Sequence, residues 1–88
     1  MARTFRATLN LALQGRTTQG RVPIDEDVVK EMGLRPGESV RATMRGQDFT
    51  GRVFGSLRAP GLLIPMEVVS SLGLREGQGV RVTVHGRA

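Results

Sequence analysis

Phe5, Ala7, Leu9, Leu11 and Leu13 alternate with Arg6, Thr8, Asn10, Ala12 and Gln14. A period of two puts alternate side chains on one face of an extended chain, so residues 5–13 read as one long half-buried strand. Residues 14–20, Gln-Gly-Arg-Thr-Thr-Gln-Gly, carry no large apolar side chain and read as a polar hairpin loop, with a second strand over 21–24. Residues 25–32 predict a short helix whose acids, Asp25, Glu26 and Asp27, fall in the first turn, where the macrodipole favours them. Gly33 stands where a left-handed cap belongs, and Leu34 is the apolar residue that closes such a cap. Arg35-Pro36-Gly37-Glu38 has Pro and Gly at the central positions of a type II turn. A strand over 39–45 then turns Val40, Ala42 and Met44 inward and Arg41, Thr43 and Arg45 outward.

The same devices return 40 residues later. Residues 24–46 align with 64–86, with 11 identities in 23 positions, among them Ile24/Ile64, Val28/Val68, Gly33/Gly73, Gly37/Gly77, Val40/Val80 and Thr43/Thr83. Phe5 matches Phe49 if the second copy is about four residues shorter between its first two strands. That copy predicts strands over 47–54 and 61–64 and a helix over 65–72, with Pro65 tolerated in the first turn. Gly73-Leu74 caps it, 75–78 turns, and a last strand follows with Val80, Val82 and Val84 inward. Arg81, Thr83 and His85 stand where the first copy has Arg41, Thr43 and Arg45. Two copies are too few for a solenoid. The pattern predicts a single domain over 1–88 built from two strand-strand-helix-strand repeats, about 4–46 and about 47–86. They read as half-barrels related by a pseudo-twofold axis.

Composition narrows the function classes. With 13 Lys and Arg against 8 Asp and Glu the formal charge is +5, and all the basic residues but Lys30 are Arg. Arg suits bidentate phosphate or carboxylate recognition, although a GC-rich genome produces the same bias. Cys, Tyr and Trp are absent and His85 is the one histidine, so thiol chemistry and most catalytic constellations lack their parts. No enzyme activity, metal or cofactor is expected. No apolar run approaches the roughly 18 residues of a membrane span, and no apolar stretch follows Met1–Arg6 as a signal peptide requires. A cytoplasmic protein without a membrane partner is expected.

Arg21-Val-Pro-Ile-Asp-Glu-Asp-Val-Val, followed by Gly33-Leu-Arg-Pro-Gly-Glu-Ser-Val40, resembles the swapped-hairpin AbrB and SpoVT superfamily of bacterial transition-state regulators. Leu63-Ile-Pro-Met-Glu-Val-Val-Ser-Ser-Leu-Gly-Leu-Arg-Glu-Gly-Gln-Gly-Val80 resembles it again. Two such units in one chain resemble a neighbouring bacterial group, the domain-of-unknown-function family numbered nineteen-hundred-and-five. The resemblance implies a mainly β fold: a small pseudo-twofold double-psi or cradle-loop β-barrel from two ββαβ repeats, with two short helices. On the AbrB side it implies DNA binding by dimers; for the other family it implies no established activity. A chain carrying both copies would complete internally the barrel that AbrB proteins complete by dimerising, so both a monomer and a homodimer stay open. In the second case the edge over residues 5–13 would pair with its twin.

Seven arginines are the candidate nucleic-acid contacts. Arg6, Arg41, Arg45, Arg52 and Arg81 fall on outward strand positions, and Arg16 and Arg21 flank the long hairpin. Such a set neutralises phosphates and gives salt-sensitive, sequence-tolerant binding to DNA. It equally keeps strand surfaces polar and edges from aggregating. Single-strand binding is disfavoured, because only Phe5, Phe49 and Phe54 could stack bases and the first two read as core. His85 reads as an exposed, structurally idle residue with no acid nearby in sequence. Gly55-Ser56 matches the Gly-Ser bond at which a self-cleaving decarboxylase among double-psi barrels forms its pyruvoyl group, but a plain turn explains it. Helix placement explains the acids at 25–27, and caps and turns explain the glycines from Gly73 to Gly79 better than a phosphate loop does. The sequence thus predicts a non-enzymatic binding module engaging nucleic acid through an arginine face. The alternative is a barrel whose cleft between the halves takes a protein, peptide or small ligand.

Overall fold

The computed structural model describes residues 2–14, 17–56 and 58–88. Its first departure from the sequence pattern comes at Leu9, where the long strand over 5–13 breaks into β1 (Arg3–Thr8) and β2 (Asn10–Gln14). The alternation survives the break, since Leu9 is fully buried, but the two segments pair with different neighbours. The rest follows as β3 (Thr17–Pro23), α1 (Glu26–Met32), β4 (Ser39–Met44), β5 (Gln47–Gly55), β6 (Pro60–Ile64), α2 (Met66–Ser71) and β7 (Gly79–Arg87). The predicted loop over 14–20 is mostly strand: Gln14 pairs with Thr17, Leu13 with Thr18 and Leu11 with Gly20. The β-branched pair Thr17-Thr18 favours extension, and β2 offers it a ladder. Both helices start one residue late. Asp25 is the N-cap of α1, its carboxylate accepting from the Asp27 N–H at 3.0 Å, and Pro65 takes that place on α2.

The caps and turns stand as the sequence indicates. Gly33 has φ +64°, and the N–H groups of Gly33 and Leu34 donate to Lys30 O and Val29 O. The same bonds run from Gly73 to Ser70 and from Leu74 to Val69. In the turns, Glu38 N–H donates to Arg35 O and Gln78 N–H to Arg75 O, both at 3.1 Å, with Gly37 and Gly77 at φ +91° and +81°. Ser56 also sits in a turn, accepting from the Ala59 N–H on both its hydroxyl and its carbonyl.

The protein is mainly β. Among the described residues seven strands form one antiparallel sheet in the order β1-β7-β4-β5-β6-β3-β2, curved as a half-barrel. The two end strands are consecutive in the chain, so the series of pairings begins and ends on the segment through Leu9. The second copy does the same without a break: Gln47 to Arg52 pair with β4, and Arg52 to Gly55 with β6.

The repeat is visible in the register. Val22 pairs with Leu62 and Thr43 with Thr83, each residue facing its own equivalent at a shift of 40. These two pairs mark where the pseudo-twofold axis crosses the sheet. The copies also strap each other: Gly37 N–H donates to Val53 O at 2.7 Å and Val53 N–H to Glu38 O at 2.9 Å. Reciprocally, Gly77 N–H donates to Leu9 O and Leu9 N–H to Gln78 O, both at 2.8 Å. Because β7 lies between β1 and β4, the halves interleave and neither is a separate lobe.

All the buried side chains among the described residues are apolar, and Val40 and Val80 are among them at 0% and 5% exposure. Leu9, Ile64 and Val69 converge over Gly20, where an added Cβ would meet their atoms at 3.0–3.3 Å. A side chain on the main chain there would require these neighbours to give way by a few tenths of an ångström.

Candidate anion-binding face

Because Phe5, Val80, Val82, Val84, Val40, Ala42, Phe49 and Val53 point inward, their alternates on β1, β7, β4 and β5 point to solvent. Register decides which of these become neighbours. Arg6 lies directly opposite Arg81. Arg45 stands two residues beyond Thr43, whose partner Thr83 stands two beyond Arg81, so Arg45 comes level with Arg81. Arg45 occupies the two-residue turn between β4 and β5 with φ +51°, beside Gly46 at +82°. Arg6, Arg81 and Arg45, with Thr8, Thr43 and Thr83, line one groove of about 730 Å³.

Like charges directly opposite on a strand pair destabilise it, their Cβ atoms being about 5 Å apart. An ordinary surface relieves this with carboxylates, yet the ion pairs among the described residues lie elsewhere: Arg3–Glu31, Lys30–Glu26 and Arg87–Glu38. Where a local rule is broken without compensation, a functional constraint is the expected cause.

The pseudo-twofold axis maps this row onto Thr50, Arg41 and His85 on the far side of the Thr43/Thr83 pair. Arg41, Thr43, Asp48, Thr50 and His85 line a second groove of about 480 Å³. Here the charge is balanced. The Thr43 hydroxyl donates to Asp48 Oδ1, and the His85 Nε2 lies 2.7 Å from the same hydroxyl. A hydroxyl carries one proton, so His85 Nε2 is the donor of that second bond. On the first side, the equivalent position to Asp48 is Thr4, whose hydroxyl lies 2.9 Å from that of Thr83. The expectation of an idle His85 is therefore corrected. It is exposed, but antiparallel pairing of β4 with β5 and β7 brings Asp48, 37 positions away, within one hydroxyl of it.

Arg52 shares the outward side of β5 with Thr50 but pairs with Ser39, one row beyond Arg41, at the margin of the face. Arg21 is elsewhere: half-buried on β3, it stacks its guanidinium 5.1 Å from the centre of the Phe54 ring, which removes it from the face. Arg16 lies outside the described residues. No helix among the described residues is long and apolar enough to cross a membrane. No family model and no curated protein matches the chain.

Proposed function

We propose that the chain is a non-enzymatic nucleic-acid-binding module whose β1-β7-β4-β5 face contacts the phosphate backbone of duplex DNA. The observation that carries this reading is the lateral row Arg6–Arg81–Arg45, which has no carboxylate partner among the described residues. Guanidinium groups on two paired strands and on the tight β4–β5 turn meet phosphate oxygens bidentately without first giving up a protein partner. The barrel type proposed is the cradle-loop or double-psi kind, in keeping with the resemblance to AbrB-like bacterial proteins. Support comes from the reciprocal straps at Leu9 and Val53 and from a strand series that starts and finishes on one chain segment. A cytoplasmic monomer whose halves complete each other is the assembly proposed.

Four contacts, from Arg6, Arg41, Arg45 and Arg81, imply a log–log salt slope of about −3.6 and a loss of affinity of roughly a hundredfold between about 50 and 200 mM salt. Mobility shifts of a mixed-sequence duplex across that range test the reading. Failure to bind at about 50 µM protein in low salt would overturn it, because non-specific binders reach that affinity even at physiological salt.

Asp48 is the acid on the face, so Asp48→Asn is expected to tighten duplex binding several-fold. Its exposed hydrogen bond with Thr43 is worth little to folding, about 1 kcal/mol or less. Titration of the variant at one fixed low salt concentration checks the sign, and a weaker complex would contradict the assignment of the face.

A further inference from the structure

A third groove, of about 670 Å³, opens between the two copies beside β3 and β6, and its composition differs from that of the arginine face. It runs close to the axis that pairs Val22 with Leu62, so an unmodified duplication would line it with equivalent residues on both sides. Instead Arg21 of the first copy answers to Gly61 of the second, and Asn10 answers to Phe54.

These differences interlock. Phe54 lies against Gly61 so closely that a Cβ there would sit 2.4 Å from its Cζ. The Arg21 guanidinium covers the ring, a cation–π stacking that also fixes the long side chain in place. Arg21 is thereby held as a flat, pre-organised fork, and its Nε is buried without an acceptor among the described residues. Arg58 brings a second guanidinium to the groove, while Pro23, Pro60 and Phe54 make its wall apolar. Glu26, the acid in the lining, lies 3.5 Å from Lys30, and neither arginine has a carboxylate partner among the described residues.

We infer that this groove binds a small aromatic carboxylate, with the carboxylate on Arg21 and Arg58 and the ring against the proline and phenylalanine wall. The volume lies within the range of small-molecule sites. A planar carboxylate matches the two-donor edge of a guanidinium. A lone anion would leave the apolar wall unused, and a neutral ring would leave the charges unmet.

Titrations of 15N-labelled protein with benzoate, benzamide and acetate, followed by amide chemical shifts, test this. Benzoate is expected to saturate shifts at Arg21, Phe54 and Gly61 while leaving Gly46 and Arg81 unmoved. Benzamide and acetate are each expected to bind at least about tenfold more weakly, the loss of one charge-assisted contact or of the apolar body. Arg58→Gln, at an exposed position remote from the core, is expected to weaken benzoate about tenfold. Arg21→Gln is expected to weaken it at least as much, and the Arg58 variant decides the matter if that one misfolds. Equal binding of benzoate and benzamide, shifts confined to the arginine face, or an unchanged Arg58→Gln affinity would each overturn the inference. Tighter binding of phenyl phosphate than of benzoate would overturn its carboxylate assignment. The duplex reading would survive any of these outcomes, since it rests on a different surface.

Discussion

Leu9→Ala is expected to lower the unfolding free energy by about 3–5 kcal/mol, a large part of the roughly 4–13 kcal/mol that a chain of this size possesses. Leu9 is fully buried where β1 gives way to β2. Its side chain converges with those of Ile64 and Val69 over Gly20, and its main chain exchanges two hydrogen bonds with the turn of the other copy. Truncation removes buried packing atoms and leaves a cavity among these neighbours. In urea the midpoint should fall with the slope unchanged. Leu11→Ala, two residues on and only half-buried, should cost about 1 kcal/mol. Equal losses at the two sites would contradict the joint ascribed to Leu9.

The second large effect concerns binding. Replacing Arg6, Arg45 and Arg81 together by Gln removes three of the four proposed phosphate contacts, so the log–log salt slope should fall from about −3.6 to about −0.9. All three side chains are exposed and belong to none of the ion pairs among the described residues. Removing their mutual repulsion should leave the unfolding midpoint the same or higher. Arg35→Gln and Arg75→Gln, at the turns that strap the two copies, serve as single-charge controls away from the face and should each leave the slope unchanged. A triple variant that binds with the native slope would move the interface off this row.

Much of the fold was legible in the sequence because its signals are local. Gly33 and Gly73 mark helix ends, Gly37 and Gly77 mark turns, and the alternation around Val40 and Val80 marks inward faces. Each requirement is met within a few residues, and each appears twice. The break at Leu9 was not legible for a physical reason: alternation records which side a residue faces, not which strand it pairs with. β1 and β2 keep the same inward side while exchanging β7 for β3 as neighbour. Within the loop assigned to residues 14–20, Gln14 and residues 17–20 are strand for a similar reason, since polar threonines extend readily once a partner strand is present.

The candidate site divides along the same line. That Arg6, Arg41, Arg45 and Arg81 face outward followed from period two. That Arg6 lies across from Arg81, and Arg45 beside it, followed only from register. The bond from His85 through Thr43 to Asp48 joins three strands, so no spacing within one segment announces it. Arg21 was grouped with the face as a flank of the hairpin. Its removal depends on Phe54, 33 positions away and brought near by the pairing of β3 and β5 with β6.

Amide chemical-shift mapping of the 15N-labelled chain against a mixed-sequence DNA duplex tests the central claim most directly. The account predicts saturable shifts that cluster on residues 4–8, 41–46 and 79–83 and fade as salt rises. Shifts centred instead on the groove of Arg21, Arg58 and Phe54, or spread evenly over the surface, would contradict it.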